Sequence, residues 1–410
     1  MKTTPMIASA VAASMAAAII LTSAQAAELR VAAGPDAQER LQTALIDAKP
    51  GDVVLLGAGR FEIKDSLSLD APGVTLRGAA RDASILAFDG QTTGSDGLLI
   101  TGDGAVLEDF SVENSKGNGI KAKGVKGVVF RNLRVEWTGG PKETNGAYGV
   151  YPVSSQNVLI EKVLVKGASD AGIYVGQSRD IIVRGNEAAL NVAGIEIENS
   201  YNADVFDNLA HHNTGGILVF DLPGLPQMGG HSIRVFKNRI VDNDTANFAP
   251  KGNIVASVPT GTGVMIMANR NIHVFDNVID GNASAAVMLV AYVNTFTDPT
   301  YNPLPRDVVV SGNKMGKNGF SPKFAGGDML AQALGGGLPP VMWDGVTRYK
   351  KPDGTPSTDV VRIIARDGPV LNLNLKDQGA PMTGAQPAVT ATLGEGDLPQ
   401  PATVVLAGAR

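Results

Sequence analysis

Glu196 and Glu198 stand two residues apart in a segment, Gly194-Ile195-Glu196-Ile197-Glu198, whose acidic residues alternate with isoleucines. In a β-strand such residues project from the same face, about 7 Å apart along the chain. Paired carboxylates of this kind suit general acid–base work or the holding of a hard cation. Asp221 is expected on a neighbouring strand of the same region. Tyr151 and Tyr174 offer flat apolar rings of the sort that pack on sugar faces, and Trp137 could extend them. Lys121 and Lys123 repeat the two-residue spacing and could neutralise an acidic ligand. His211, His212, His231 and His273 are too scattered for a metal site; even with Met228 they make a weak soft-metal set. No metal or other cofactor is evident, although the carboxylates would admit calcium.

These residues become neighbours only if the chain repeats. A small residue followed by a β-branched one recurs at Gly119-Ile120, Gly149-Val150, Gly172-Ile173, Gly194-Ile195, Gly216-Ile217, Gly263-Val264 and Ala286-Val287, with intervals of 30, 23, 22, 22, 47 and 23 residues. A second mark, a short strand ending at Asn, follows 12 or 13 residues later in most repeats, at Asn132, Asn186, Asn208 and Asn277. Each repeat therefore holds two or three short strands and no helix. One such coil cannot bury its apolar side alone, so coils must stack. The fold class predicted is all-β, a right-handed parallel β-helix. A helix over Asp36–Ala48, with Ala37, Leu41, Ala44, Leu45 and Ala48 on one side, would cover its first edge. The Asn series is read as structural, bonding along the stack.

Insertions fall beside one strand row. The gap from Ile217 to Asn238 is 21 residues and from Val287 to Asn313 it is 26, while Asn132 to Val150 spans 18 and Asn238 to Val264 spans 26. Extra loops at about 221–231, 292–306, 138–145 and 245–260 would wall the sheet on both edges. If Ile120, Val150, Ile173, Ile195, Ile217, Val264 and Val287 point inward, the floor between the walls is Lys121, Tyr151, Tyr174, Glu196, Leu218, Met265 and Met288, with Glu198, Phe220 and Met267 beside it. Polysaccharide or glycan is the expected ligand. The apolar end, Phe220, Met265, Met267 and Met288, offers an alternative: a scaffold for an envelope protein partner.

The net charge is −5 and no Lys/Arg run favours nucleic acid. Cysteine is absent, which excludes disulfides and thiolate chemistry. Lys2, the apolar stretch Met6–Leu21 and Ala24-Gln25-Ala26 read as a cleavable export signal, so residues 1–26 are expected to be removed and the protein to be periplasmic or secreted. No later segment is apolar enough to cross a bilayer. The solenoid with its cap is expected over 27–319 and an irregular C-terminal cap and tail over 320–410, with Val360–Ala365 and Val370–Leu375 as candidate terminal strands and the chain after about residue 380 loosely held.

The run from Gly167 to Ser178, the Asn186 coil after it and the segment Asn247–Asn253 resemble exported bacterial parallel β-helix repeat proteins. Those in turn are similar to the pectate-lyase-like superfamily, with its pectate and alginate lyases, polygalacturonases and mannuronan epimerases. The resemblance spans about residues 30 to 345 and implies carbohydrate chemistry; an enzyme of this kind would be a polysaccharide lyase or uronate epimerase. The motifs that carry those activities differ here. Where periplasmic alginate epimerases have Asp-Pro-His-Asp after a Tyr-Gly-Ile strand, this chain has Tyr148-Gly149-Val150 and then Tyr151-Pro152-Val153-Ser154. The fold carries over, and no mechanism carries over with it.

Overall fold

The computed structural model describes residues 26–407. The expected export signal, all but Ala26, lies outside them. The chain winds into a parallel β-helix with two 12-stranded sheets and one of 10 strands. Successive coils add one strand to each sheet, so neighbours in a sheet are remote in sequence. Among the described residues no helix is long and apolar enough to span a membrane.

Register follows the sequence marks. Ile120 pairs with Val150, Val150 with Ile173, Ile173 with Ile195, Ile195 with Ile217, Ile217 with Val264, and Val264 with Val287. All seven are fully buried in one continuous core. Each contributes about 1.5–3 kcal/mol by leaving water, and only the stack makes that burial available. The helix Ala37–Asp47 closes the N-terminal end with Leu41 and Leu45 buried.

Two asparagine ladders run through the turns. The expected one joins Asn186, Asn208, Asn238, Asn277 and Asn313, each side-chain amide donating to the next Oδ1 at 2.8–3.0 Å; Asn132, expected in the same series, lies one residue out of register and donates to Asp109 at 2.6 Å instead. A second joins Asn191, Asn213, Asn243, Asn282 and Asn318 at 2.9–3.1 Å. Each amide has a second N–H for a buried carbonyl, as Asn238 does for Val205 at 2.9 Å. The second ladder was readable in the sequence, since every member sits five residues after one of the first.

Two expectations about the C-terminal part are corrected. The solenoid does not end at 319: Val341–Trp343 continues one long sheet with parallel pairing, and the candidate terminal strands form at Ile363–Ala365 and Val370–Asn372, extending both long sheets. An insertion carrying the helix Gly327–Ala333 stretches the interval from Met288 to its partner Met342 and hides the period. The tail is not loose either. The Val404 amide donates to Asp204 at 3.1 Å, Arg366 pairs with Asp397, and the Ala407 amide reaches Asn157 at 3.4 Å. The tail thus runs back across the outer row of one long sheet, where Leu159 and Val309 are buried. Between these apolar rungs the row carries Asp204, Arg234 and His273, so the cover supplied by a segment without periodicity is partly polar.

Candidate carboxylate cleft

The site sheet is the long sheet that carries Tyr148–Val153, Ala171–Gly176, Ala193–Glu198, Gly215–Phe220, Thr262–Met267 and Ala285–Val290. Its outward row reads Lys121, Tyr151, then Tyr174 paired with Glu196, Glu196 with Leu218, Leu218 with Met265, and Met265 with Met288. One further residue joins this face. Ala286 and Val287 both enter the main core, while Ala171, Ala193 and Ala285 pack on the outer side. The backbone therefore breaks strict alternation at the Gly-Val step, and Tyr148 turns outward. Tyr148, Tyr151 and Tyr174 form an aromatic triad with ring centroids 4.4–5.0 Å apart.

Beside the triad lie three carboxyls. Glu198 accepts a hydrogen bond from the Tyr174 hydroxyl at 2.6 Å. Asp170 accepts from the Asn253 amide at 3.1 Å and from Tyr148 at 3.5 Å. Glu196 is 1% exposed, and neither of its carboxyl oxygens has a hydrogen-bond partner. Burial, then the charges of Glu198 and Asp170, hold the Glu196 carboxyl well above the usual range. Burial raises Glu198 to about 7 against the opposing bond from Tyr174, and raises Asp170 to about 7 as well. Burial and the same carboxylates push the Tyr148 and Tyr174 phenols up, so both stay protonated. Burial thus favours the protonated form of all three carboxyls, with Glu198 and Asp170 changing charge near neutrality, and the tyrosines act as donors.

The walls fall where the insertions do. The segment between Val241 and Thr262 forms a strap over the carboxyls. Val255 and Val258 are buried in the cluster that includes Tyr174, and Asn253 anchors the strap to Asp170. The strap braces itself through the Asn247 amide, which donates to the Val255 and Val258 carbonyls at 2.9 and 3.0 Å. Its ends rest on the asparagine turns: the Thr245 amide bonds Asn213 and the Gly261 amide bonds Thr214. On the other edge the Tyr301 hydroxyl donates to the Asp221 carbonyl at 2.6 Å and ties two loops together.

The sequence matches the right handed beta helix region family over residues 73–224 and 144–302. The chain belongs to that family. No curated protein matches it by sequence. Among solved structures it is similar to the A-module of the Azotobacter vinelandii mannuronan C-5 epimerase AlgE4, with TM-score 0.50 and 14% identity, covering 86% of this chain and 96% of that one. It is also similar to a DFA-IIIase from Arthrobacter chlorophenolicus A6, solved without its lid in complex with GF2, with TM-score 0.50 and 11% identity, covering 72% and 90%. Both likenesses are likenesses of fold.

Within this β-helix, Tyr151, Tyr174, Glu196 and Glu198 come together as expected from their spacing. Lys121 lies over the Tyr151 ring at 5.0 Å, and Lys123 is exposed at the strand end. Asp221 is committed elsewhere: its carboxylate accepts the Gly229 and Gly230 amides at 3.0 and 2.8 Å and shapes the loop it begins. Trp137 is not on the face. It is buried in the main core and donates its indole N–H to the Ser115 carbonyl at 2.7 Å. Phe220, Met265, Met267 and Met288 are no open protein-docking face; each is more than nine-tenths buried under the loops. Among the described residues no group of three or more His, Asp or Glu side chains converges to hold a metal. His211 and His212 instead meet Glu187 and Asp244. Sequence reasoning missed Tyr148 as a site residue, because alternation from Val150 sends it inward, and Asn253, because nothing local marks a strap residue for Asp170.

Proposed function

We propose that this protein binds a glycan over Tyr148, Tyr151 and Tyr174 and processes it by acid–base chemistry at Glu196 and Glu198. The observation that carries the reading is Glu196, a fully buried carboxyl on the cleft floor with neither oxygen paired. An unpartnered buried polar group costs about 1–3 kcal/mol, and among the described residues Glu196 is the one buried carboxyl with neither oxygen bonded. An acid beside a carboxylate of separate titration is the pairing that glycosidic bond cleavage needs. Glu196 would protonate the leaving oxygen as its bond to the sugar carbon breaks, and Glu198, positioned by Tyr174, would either take the proton of the attacking water or itself bond that carbon for water to release. The tyrosine rings would lie against the sugar, with their hydroxyls as donors. Substrate entry requires the strap to lift from Asp170.

The phenols, held protonated, are poor bases for proton abstraction from a uronate. Among the described residues no cation pairs with Asp170, Glu196 or Glu198, and Lys121 lies over the Tyr151 ring. A neutral glycan therefore fits better than an acidic one. The shared fold with an epimerase module and a DFA-IIIase adds support by analogy alone. On the strength of residues 1–26 we place the protein in the periplasm or outside the cell; the mass of the mature N-terminus from a fractionated host checks this.

The test is a panel of neutral oligosaccharides, with alginate and pectin oligomers alongside, followed by calorimetry, reducing-end release and ultraviolet absorbance of unsaturated products. Expected are binding of a neutral member, release of reducing ends and loss of that release in both Glu196→Gln and Glu198→Gln. Unsaturated products, or turnover indifferent to both substitutions, would overturn the assignment; no binding by the wild type would end it.

A further inference from the structure

The cleft does not stop at the carboxyls. One rung beyond Glu198 its pairing partner Phe220 begins a cavity of about 410 Å³, lined by Met265, Met267, Met288, Val290, Met342 and Leu373 among others. The volume is in the range of small-molecule pockets. Its carboxylate, Asp344, is spent on the Ala291 and Val346 amides at 2.6 and 2.9 Å, so the floor offers little free polarity. The strap is common to both parts: Asn253 bonds Asp170 at one end of the cleft and lines the cavity at the other. Adjacent rungs are about 4.8 Å apart. Phe220 and Met267 therefore lie one and two rungs from Glu198, the reach from a glycosidic oxygen into the group it carries.

We infer that the ligand is a glycoside with an apolar aglycone, aryl or alkyl, whose sugar sits at Tyr174, Glu196 and Glu198 and whose aglycone fills the methionine cavity. This rests on the glycan reading above and names the substrate class. A protein partner does not fit, because the methionines lie under loops. A longer polar glycan does not fit either, because the cavity would strip water from its hydroxyls without replacing their hydrogen bonds. Unbranched methionines adapt to aglycones of differing shape.

The test uses the full mature chain and the neutral fluorophore N-phenyl-1-naphthylamine. Saturable binding is expected, weakened at least tenfold by Val290→Trp, which fills the cavity from its half-buried rim. Circular dichroism and the unfolding midpoint show whether the Val290 variant is folded; Met267→Gln is the second variant. Neutral p-nitrophenyl and octyl glycosides should displace the fluorophore and bind at least tenfold tighter than the free sugars, a gain that Val290→Trp removes. No fluorophore binding, or equal affinity for glycoside and free sugar, overturns the aglycone site. If free sugars bind in a Glu198-dependent way without that gain, the glycan reading stands and only this inference fails. If the fluorophore binds and no sugar or glycoside does, the glycan reading itself has failed.

Discussion

The asparagine ladders and the glutamate pair are both buried polar features of the same coils, and they are built on opposite principles. Asn238 accepts from Asn208 and donates to Asn277 and Val205, so its amide is fully occupied. Glu196, two corners away, has no partner at all. Polar groups that hold a solenoid together are satisfied along its axis. A polar group left unsatisfied on a walled face is there for something that arrives.

Breaking the ladder should have the largest effect. Asn238→Leu removes the bonds on both sides of one rung and strands the Asn208 amide; a loss of about 4 kcal/mol is expected in denaturant unfolding. The second contrast is in pH. An unfolded chain releases the Glu198 proton at its ordinary value of 4.5, whereas the folded protein keeps it until about 7. The folded state binds more protons in that window, so this contribution to stability is fully present below about 4.5 and is lost as pH rises through 7. Glu198→Gln should flatten that fall by about 3 kcal/mol, read from unfolding at a series of pH values. Asp170 contributes in the same direction.

Glu196→Leu sharpens the comparison with the opposite sign. Replacing an unpaired buried carboxyl by a carbon side chain should stabilise the protein by about 1–2 kcal/mol at neutral pH while abolishing turnover. A loss of stability there would mean that Glu196 is a structural residue like the asparagines. The smallest effect is expected from Tyr174→Phe. Its hydroxyl favours the charged form of Glu198, so its removal should move the Glu198 titration upward and cost about 1 kcal/mol.

Much of this was legible in the sequence because a solenoid converts spacing into contact. The small–β-branched marks and the Asn marks fixed the register, and the register brought Tyr151, Tyr174, Glu196 and Glu198 together. Legibility ended where the chain left the repeat. Trp137 reads as an extension of the tyrosine platform, yet its large ring is seated in the core and its N–H finds Ser115. Tyr148 was hidden by a local break in alternation. Asn253 and Asp344 meet their partners through insertions, whose paths no period dictates. The tail over Asp204 was illegible for the same reason: it pairs across 200 residues with no repeating mark of its own.

The account turns on how the two glutamates hold their protons, and carbon-detected NMR titration of protein labelled at the glutamate carboxyls reads that directly. With assignments from Glu196→Gln and Glu198→Gln, one signal should remain protonated through neutrality and the other should titrate near 7. Two signals that both titrate in the ordinary glutamate range would contradict it, leaving a polar face in place of a poised site.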